Sequence, residues 1–211
     1  MKKHIVCFGD SNTHGYCADP NDTASHSNRF DENERWTCRL QKLLGDEYLV
    51  LEEGLSGRTT VFDDPIHEGL SGLDYAYPML MSHESVDMLV IMLGTNDTKE
   101  RFAACAGAIG VGMERLAQKC AVTPCWSTKP NILIVAPPHI KEGFFDPIMG
   151  DGCKEKSEGV AEWYKIVAER NGFGFLDAQG CEFNDIDKMH LTNKGHEQLA
   201  NRVFEEIKKV I

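Results

Sequence analysis

A serine hydroxyl is a poor nucleophile until a base removes its proton, and a histidine held in one tautomer by a carboxylate is a suitable base at neutral pH. The chain carries one of each in telling contexts. Ser11 stands in FGDSN, directly after the apolar run His4–Phe8, and Asp187 and His190 stand three apart in DKMH, ahead of the last amphipathic segment. The spacing of three predicts that one helix-like turn brings Asp187 and His190 to the same side, so that Asp187 accepts from Nδ1–H while Nε2 faces Ser11. Acyl transfer also needs donors aimed at the oxyanion of its tetrahedral intermediate. The candidates are the Ser11 N–H at the start of a helix, the Gly57 N–H in GLSGRT and the Asn96 side-chain amide in GTND. Each segment alone has a plainer reading: Gly-Asp-Ser makes a good turn, Asp-x-x-His occurs on solvated helical turns, and Gly-Thr-Asn-Asp suits an Asx turn.

What unites them is the framework they punctuate. Short apolar runs at His4–Phe8, Tyr48–Glu52, Met88–Leu93, Ile132–Ala136 and Phe173–Leu176 predict strands, several of them continuous in Val, Ile and Leu as in strands buried on both faces. Helical stretches are expected near Trp36–Leu44, Tyr75–Ser82, Ala104–Ala121 and Lys154–Asn171. A last helix follows, capped by Thr192, with Leu199, Val203, Phe204, Ile207 and Ile211 on one face. Alternation of this kind predicts a three-layer αβα fold, flavodoxin-like, with a five-stranded parallel sheet in the order 2-1-3-4-5 and right-handed crossovers. Ligands of such sheets bind at the carboxyl ends of the strands, where all four polar segments fall.

Composition narrows the function classes. The 211 residues suit one domain, 1–211. The net charge of −11, with no run of Lys and Arg, argues against a nucleic-acid partner. No stretch is long enough for a membrane span, and MKKHIVCFGD lacks the apolar core of a signal peptide, so a cytoplasmic protein without a membrane partner is expected. Eight cysteines without a CxxC pair read as reduced and mostly structural. His190 and His196 are six apart and lack the spacing of a helical zinc pair, so no metal is expected. Asp10 and Asp97 read as orienting their turns, and Asp63-Asp64-Pro65 as a turn. GDSNTHG matches no phosphate-loop fingerprint, and Thr13 occupies the second glycine position of the G-x-S-x-G elbow, which excludes the α/β-hydrolases. Two loops are expected to shape specificity: polar residues 14–35, and residues 137–153 with Phe144, Phe145, Ile148 and Met149, which suit an acyl pocket or a subunit contact.

The four blocks FGDSN, GLSGRT, GTND and DKMH, in that order, resemble those of the SGNH hydrolases, the GDSL esterase/lipase superfamily. The stretches EEGLSGRTT, DDP and VIMLGTNDTK are similar to a bacterial arylesterase and acyltransferase subgroup. The resemblance implies hydrolysis of short-chain acyl esters such as acetates, with Ser11, Asp187 and His190 catalytic and Ser11, Gly57 and Asn96 forming the oxyanion hole. It implies no cofactor, a small-molecule ester as partner, transfer of acyl groups to alcohols in some relatives, and a homo-oligomer. A carbohydrate O-acetylesterase uses the same machinery with a different pocket, and a non-catalytic binding module is the reading from another class. Three departures stand out: Asn12 replaces the Leu of GDSL, Glu52 stands where many members carry Asn, and Tyr16 replaces a larger aromatic near the acyl pocket.

Overall fold

The run Lys3–Gly9 forms β1, an inner strand of a five-stranded sheet in the computed structural model, which describes residues 1–211. β2 (Tyr48–Gly54), β3 (Met88–Met92), β4 (Ile132–Ala136) and β5 (Gly174–Asp177) complete it. All pairings are parallel and the strand order is β2-β1-β3-β4-β5, the predicted order. β3 and β4 are buried at every position, which is why they read as unbroken apolar runs, whereas β5 at the edge is half-exposed.

Alternate side chains of each strand serve opposite faces. Val6, Phe8, Leu89, Ile91 and Ile134 point into a cluster covered by α3 (Gly72–Ser82), α4 (Ala106–Val122) and α5 (Cys153–Asn171). Ile5, Cys7, Met88, Val90, Met92, Leu133 and Val135 point into a second cluster, under α2 (Trp36–Leu44) and α6 (Asn193–Ile207). The Thr192 hydroxyl caps α6 by accepting from Gly195 N–H at 3.0 Å, as expected. The helix stops at Ile207, and Ile211 packs against the second cluster from beyond its end. All eight cysteines are free and six are buried. No helix is long and apolar enough to cross a membrane.

The first connection is shorter than a full helix. After β1 comes a single turn, α1 (Ser11–His14), closed by Gly15 at φ +88°. One turn aligns few peptide dipoles, so its N-terminus contributes its N–H groups more than a macrodipole. α1 lies against the end of β2 at Gly54, where an added Cβ would sit 2.2 Å from His14 N and 2.5 Å from the Thr13 carbonyl carbon. Gly54→Ala must therefore displace the Ser11 turn. A stability loss of about 1–3 kcal/mol in chemical denaturation is expected.

Candidate functional site

Ser11 opens α1, and Asp10 ahead of it caps the turn, its carboxylate accepting from Asn12 N–H at 3.0 Å. The Asp10 carbonyl accepts from Thr13 and His14 N–H, so the turn is closed at both ends. Burial pushes the Asp10 carboxyl up to about 6, against the Asn12 N–H and the charges of His190 and Arg58, which pull it down.

Asp187 and His190 lie in the loop between β5 and α6. His190 Nε2 is 2.8 Å from Ser11 Oγ, and His190 Nδ1 is 2.7 Å from Asp187 Oδ2. An ionised carboxylate only accepts, so Nδ1 carries the proton and, in the neutral ring, Nε2 accepts from the serine hydroxyl. Burial alone would raise the Asp187 carboxyl, but the hydrogen bond and charge of His190, with Asn184 and the Met189 N–H, hold it below its ordinary value. The Tyr16 ring packs on the imidazole, centroids 4.6 Å apart.

The helix-like turn expected between Asp187 and His190 is absent. The segment is an irregular loop, and Lys188 adopts a left-handed conformation at φ +63°. Asn184 organises it instead. Its Oδ1 accepts from the N–H groups of Ile186 and Asp187 at 2.8 and 2.9 Å, and its Nδ2 donates to Asp187 Oδ1 at 2.8 Å and to His190 O at 2.9 Å. Sequence reasoning passed over Asn184; its only signal was an Asx-turn residue three places before an aspartate.

Gly57 and Asn96 face the same cavity. Ser11, Tyr16, Ser56, Gly57, Asn96 and His190, with Asp146, Met149 and Met189, line a space of about 200 Å³. Gly57 sits at φ +88°, a conformation that suits glycine, and its N–H has no partner in the chain. Asn96 opens a 3-10 turn, Asn96–Thr98, and its buried Nδ2 has no partner either. An unpaired buried amide costs stability unless something fills its place, and here it borders the cavity beside a serine. Serine, imidazole and unspent N–H donors thus meet in one pocket, with the Asp187 carboxylate behind the imidazole, an arrangement suited to acyl transfer.

Three further contacts hold this rim, of which only an orienting role for Asp97 was legible in the sequence. Asp97, fully buried, accepts from Thr60 N–H at 3.0 and 3.1 Å and from the Thr60 hydroxyl, tying the Asn96 turn to the Gly57 loop. Arg58 lies over the rings of Phe8 and Tyr75, 4.7 and 4.9 Å from their centroids, and donates to Gly9 O at 3.0 Å. Asp64 is not merely part of a turn: its buried carboxylate takes Arg101 Nη2 at 2.7 Å and Lys99 Nζ at 3.3 Å. Burial opposes that charge, yet the Arg101 and Lys99 bonds hold it well below the carboxylate range. Arg101 also donates to Ile148 O at 2.7 Å, securing loop 137–153. Met149 from that loop is buried at the cavity wall, whereas Phe145 and Ile148 face outward.

The remaining candidates lie outside the site. His196 is buried under the Phe30 ring and its Nδ1 accepts from Trp36 N–H at 3.1 Å. Burial lowers it to about 3, so it packs as a neutral ring. Glu52 pairs with Arg35 at 2.9 Å and accepts from Thr37. No group of three or more His, Cys, Asp or Glu side chains gathers as a metal site.

Comparison with known proteins places these features in context. Residues 7–198 match the pattern of the GDSL-like Lipase/Acylhydrolase family. The structure of a carbohydrate acetylesterase from Sinorhizobium meliloti is 35% identical, with a TM-score of 0.88 and 100% of both chains covered. That of the native M. smegmatis aryl esterase is 32% identical, with a TM-score of 0.89 over 99% of this chain and 100% of the other. An acetylxylan esterase from Xylanibacter ruminicola is 24% identical over 97% of this chain, which spans 43% of that longer protein's length.

The buried acid under the rim sets a pH dependence. Burial raises the Asp97 carboxyl to about 6, against an ordinary 3.8, although its Thr60 bonds oppose this. The folded state therefore holds the proton more tightly than the unfolded one. The destabilisation is absent below about pH 4, grows as pH rises toward 6, and is complete above. Asp97→Asn removes it. The stability of the variant relative to the parent should rise between pH 4 and 7 by on the order of 2–3 kcal/mol, read by urea titration at each pH.

Proposed function

As the chain belongs to the GDSL-like lipase/acylhydrolase family, whose members are carboxylic ester hydrolases, we propose that it hydrolyses short-chain, acetyl-type esters through an acyl-enzyme on Ser11. The observation that carries this reading is the continuous relay Asp187–His190–Ser11, at 2.7 and 2.8 Å, beside two unpaired amide donors.

In the first half-reaction Ser11 Oγ attacks the ester carbonyl carbon as His190 Nε2 takes its proton. The imidazolium is stabilised by Asp187, which keeps its negative charge and accepts from Nδ1–H. The carbonyl oxygen becomes an oxyanion and is met by the Ser11 and Gly57 N–H groups and Asn96 Nδ2. Each such donor is worth about 10²–10³ in kcat. The C–O bond to the alcohol breaks as His190 returns the proton to the leaving oxygen. In the second half water, or another alcohol, enters with His190 again as base, and Ser11 leaves. Deacylation by an alcohol is acyl transfer, and the same groups serve both outcomes.

The leaving alcohol is the finer question. A cavity of about 200 Å³ suits an acetyl group more than a long acyl chain, and Asp146 and Ser56 offer polar contacts beside it. The likeness to a carbohydrate acetylesterase and an acetylxylan esterase favours acetylated sugars as a second reading. Ser11→Ala is expected to lower turnover of p-nitrophenyl acetate by about 10⁴-fold or more with the circular dichroism spectrum unchanged. Retained activity in Ser11→Ala refutes the nucleophile, whereas a parent that neither turns over the ester nor takes a fluorophosphonate at Ser11 is a binding module. A panel of acetylated xylo-oligosaccharides against aryl and alkyl acetates, ranked by kcat/KM, separates the two esterase readings: sugar esters should rank first only if the second holds.

A further inference from the structure

We infer that Asn12, which stands where the GDSL motif has leucine, is a positioning residue that locks the backbone on both sides of His190 to the serine turn; this rests on the acyl-enzyme reading above. Its carboxamide is buried, 1% exposed, and bridges two distant parts of the chain. Oδ1 accepts from Leu191 N–H at 2.9 Å, and Nδ2 donates to Met189 O at 3.2 Å. An N–H can only donate and a carbonyl can only accept, so these two partners dictate which end of the amide faces which. Neither Leu191 N–H nor Met189 O has another partner in the chain. Both residues are themselves buried, so without Asn12 both backbone groups would be left unpaired away from water.

The geometry is economical. Ser11 and Asn12 are neighbours in one turn, and the residues that Asn12 holds flank His190 directly. The distance between Ser11 Oγ and His190 Nε2 is thus set by a clamp one residue away on either side. From within the loop, Asn184 fixes the Asp187 end of the relay. Asn12 fixes the loop against the serine. Leucine, of similar size, can fill the volume but can neither donate nor accept, so where it occupies the position the loop must be held by other means.

Asn12→Leu tests this. On p-nitrophenyl acetate kcat should fall about 10- to 100-fold, because a base displaced by a fraction of an ångström loses its alignment. KM should stay within about twofold, since the cavity walls are untouched. Fluorophosphonate labelling of Ser11, measured as a rate constant per folded molecule, should slow by the same factor as kcat, and the low-field proton resonance of His190 Nδ1–H should broaden. A purely structural role predicts the opposite pattern: a lower melting temperature with kcat and labelling rate per folded molecule at parental values, and that result overturns the inference. Should Asn12→Leu fail to fold, amide hydrogen exchange of the unaltered protein decides: slow exchange at Leu191 N–H supports the clamp and fast exchange refutes it. A parent that is labelled at Ser11, with a fully active Asn12→Leu, removes this inference alone. A parent that is not labelled removes the acyl-enzyme reading itself.

Discussion

The hydrogen bond from Ser11 to His190 joins residues 179 positions apart, and its 2.8 Å length is only as well defined as the two backbones that carry it. A hydroxyl and an imidazole gain little from meeting in water, so the contact persists because each end is anchored elsewhere. On one side β1 runs inside the sheet, gripped by β2 and β3, and delivers Ser11 at its carboxyl end. On the other, an irregular loop hangs from the edge strand β5, where the sheet itself offers least support. The polar side chains of that region make up the difference: Asn184 from within the loop and Asn12 from the serine turn.

This asymmetry explains what a linear reading can and cannot see. Unbroken runs such as Met88–Met92 and Ile132–Ala136 are legible because burial on both faces forbids polar residues there. Their order followed from the alternation with helices, and the polar segments at the strand ends followed from that order. Ser11, Gly57, Asn96 and His190 line one cavity, and Asp187 stands behind the imidazole. The route was partly different from the expected one. The three-residue spacing of Asp187 and His190 implied a helical turn, but the pair meets through a left-handed Lys188 and the bonds of Asn184. Asn184 bonds neighbours two to six residues away, a local pattern with only an Asx-turn signal, whereas Asp64 and Arg58 were illegible for a common reason. Each acts through partners fixed by tertiary placement, Asp64 on Arg101 and Arg58 on the Gly9 carbonyl, and no local pattern encodes such pairings.

Below the rim the chain tolerates unfavourable chemistry. Asp10 and Asp97 are both fully buried acids raised to about 6, each by loss of hydration, and Asp97 further by the charge of Asp10. Two carboxylates in this setting weaken the fold at neutral pH. What they provide is local order: Asp10 closes the serine turn and Asp97 joins the Asn96 turn to the Gly57 loop. The unpaired Asn96 amide belongs to the same pattern, a buried donor left unsatisfied beside the cavity.

The wall carrying Met149 is fastened to the body of the protein through Arg101, which grips the Ile148 carbonyl with one nitrogen and the buried Asp64 with two others. Glu100 adds a bond to the Asp151 N–H. These bonds fix the loop at Ile148 and Asp151, on either side of the cavity mouth that Met149 lines. With that wall held in the folded state, velocity on dissolved esters should follow simple saturation through the concentration at which the ester begins to form micelles.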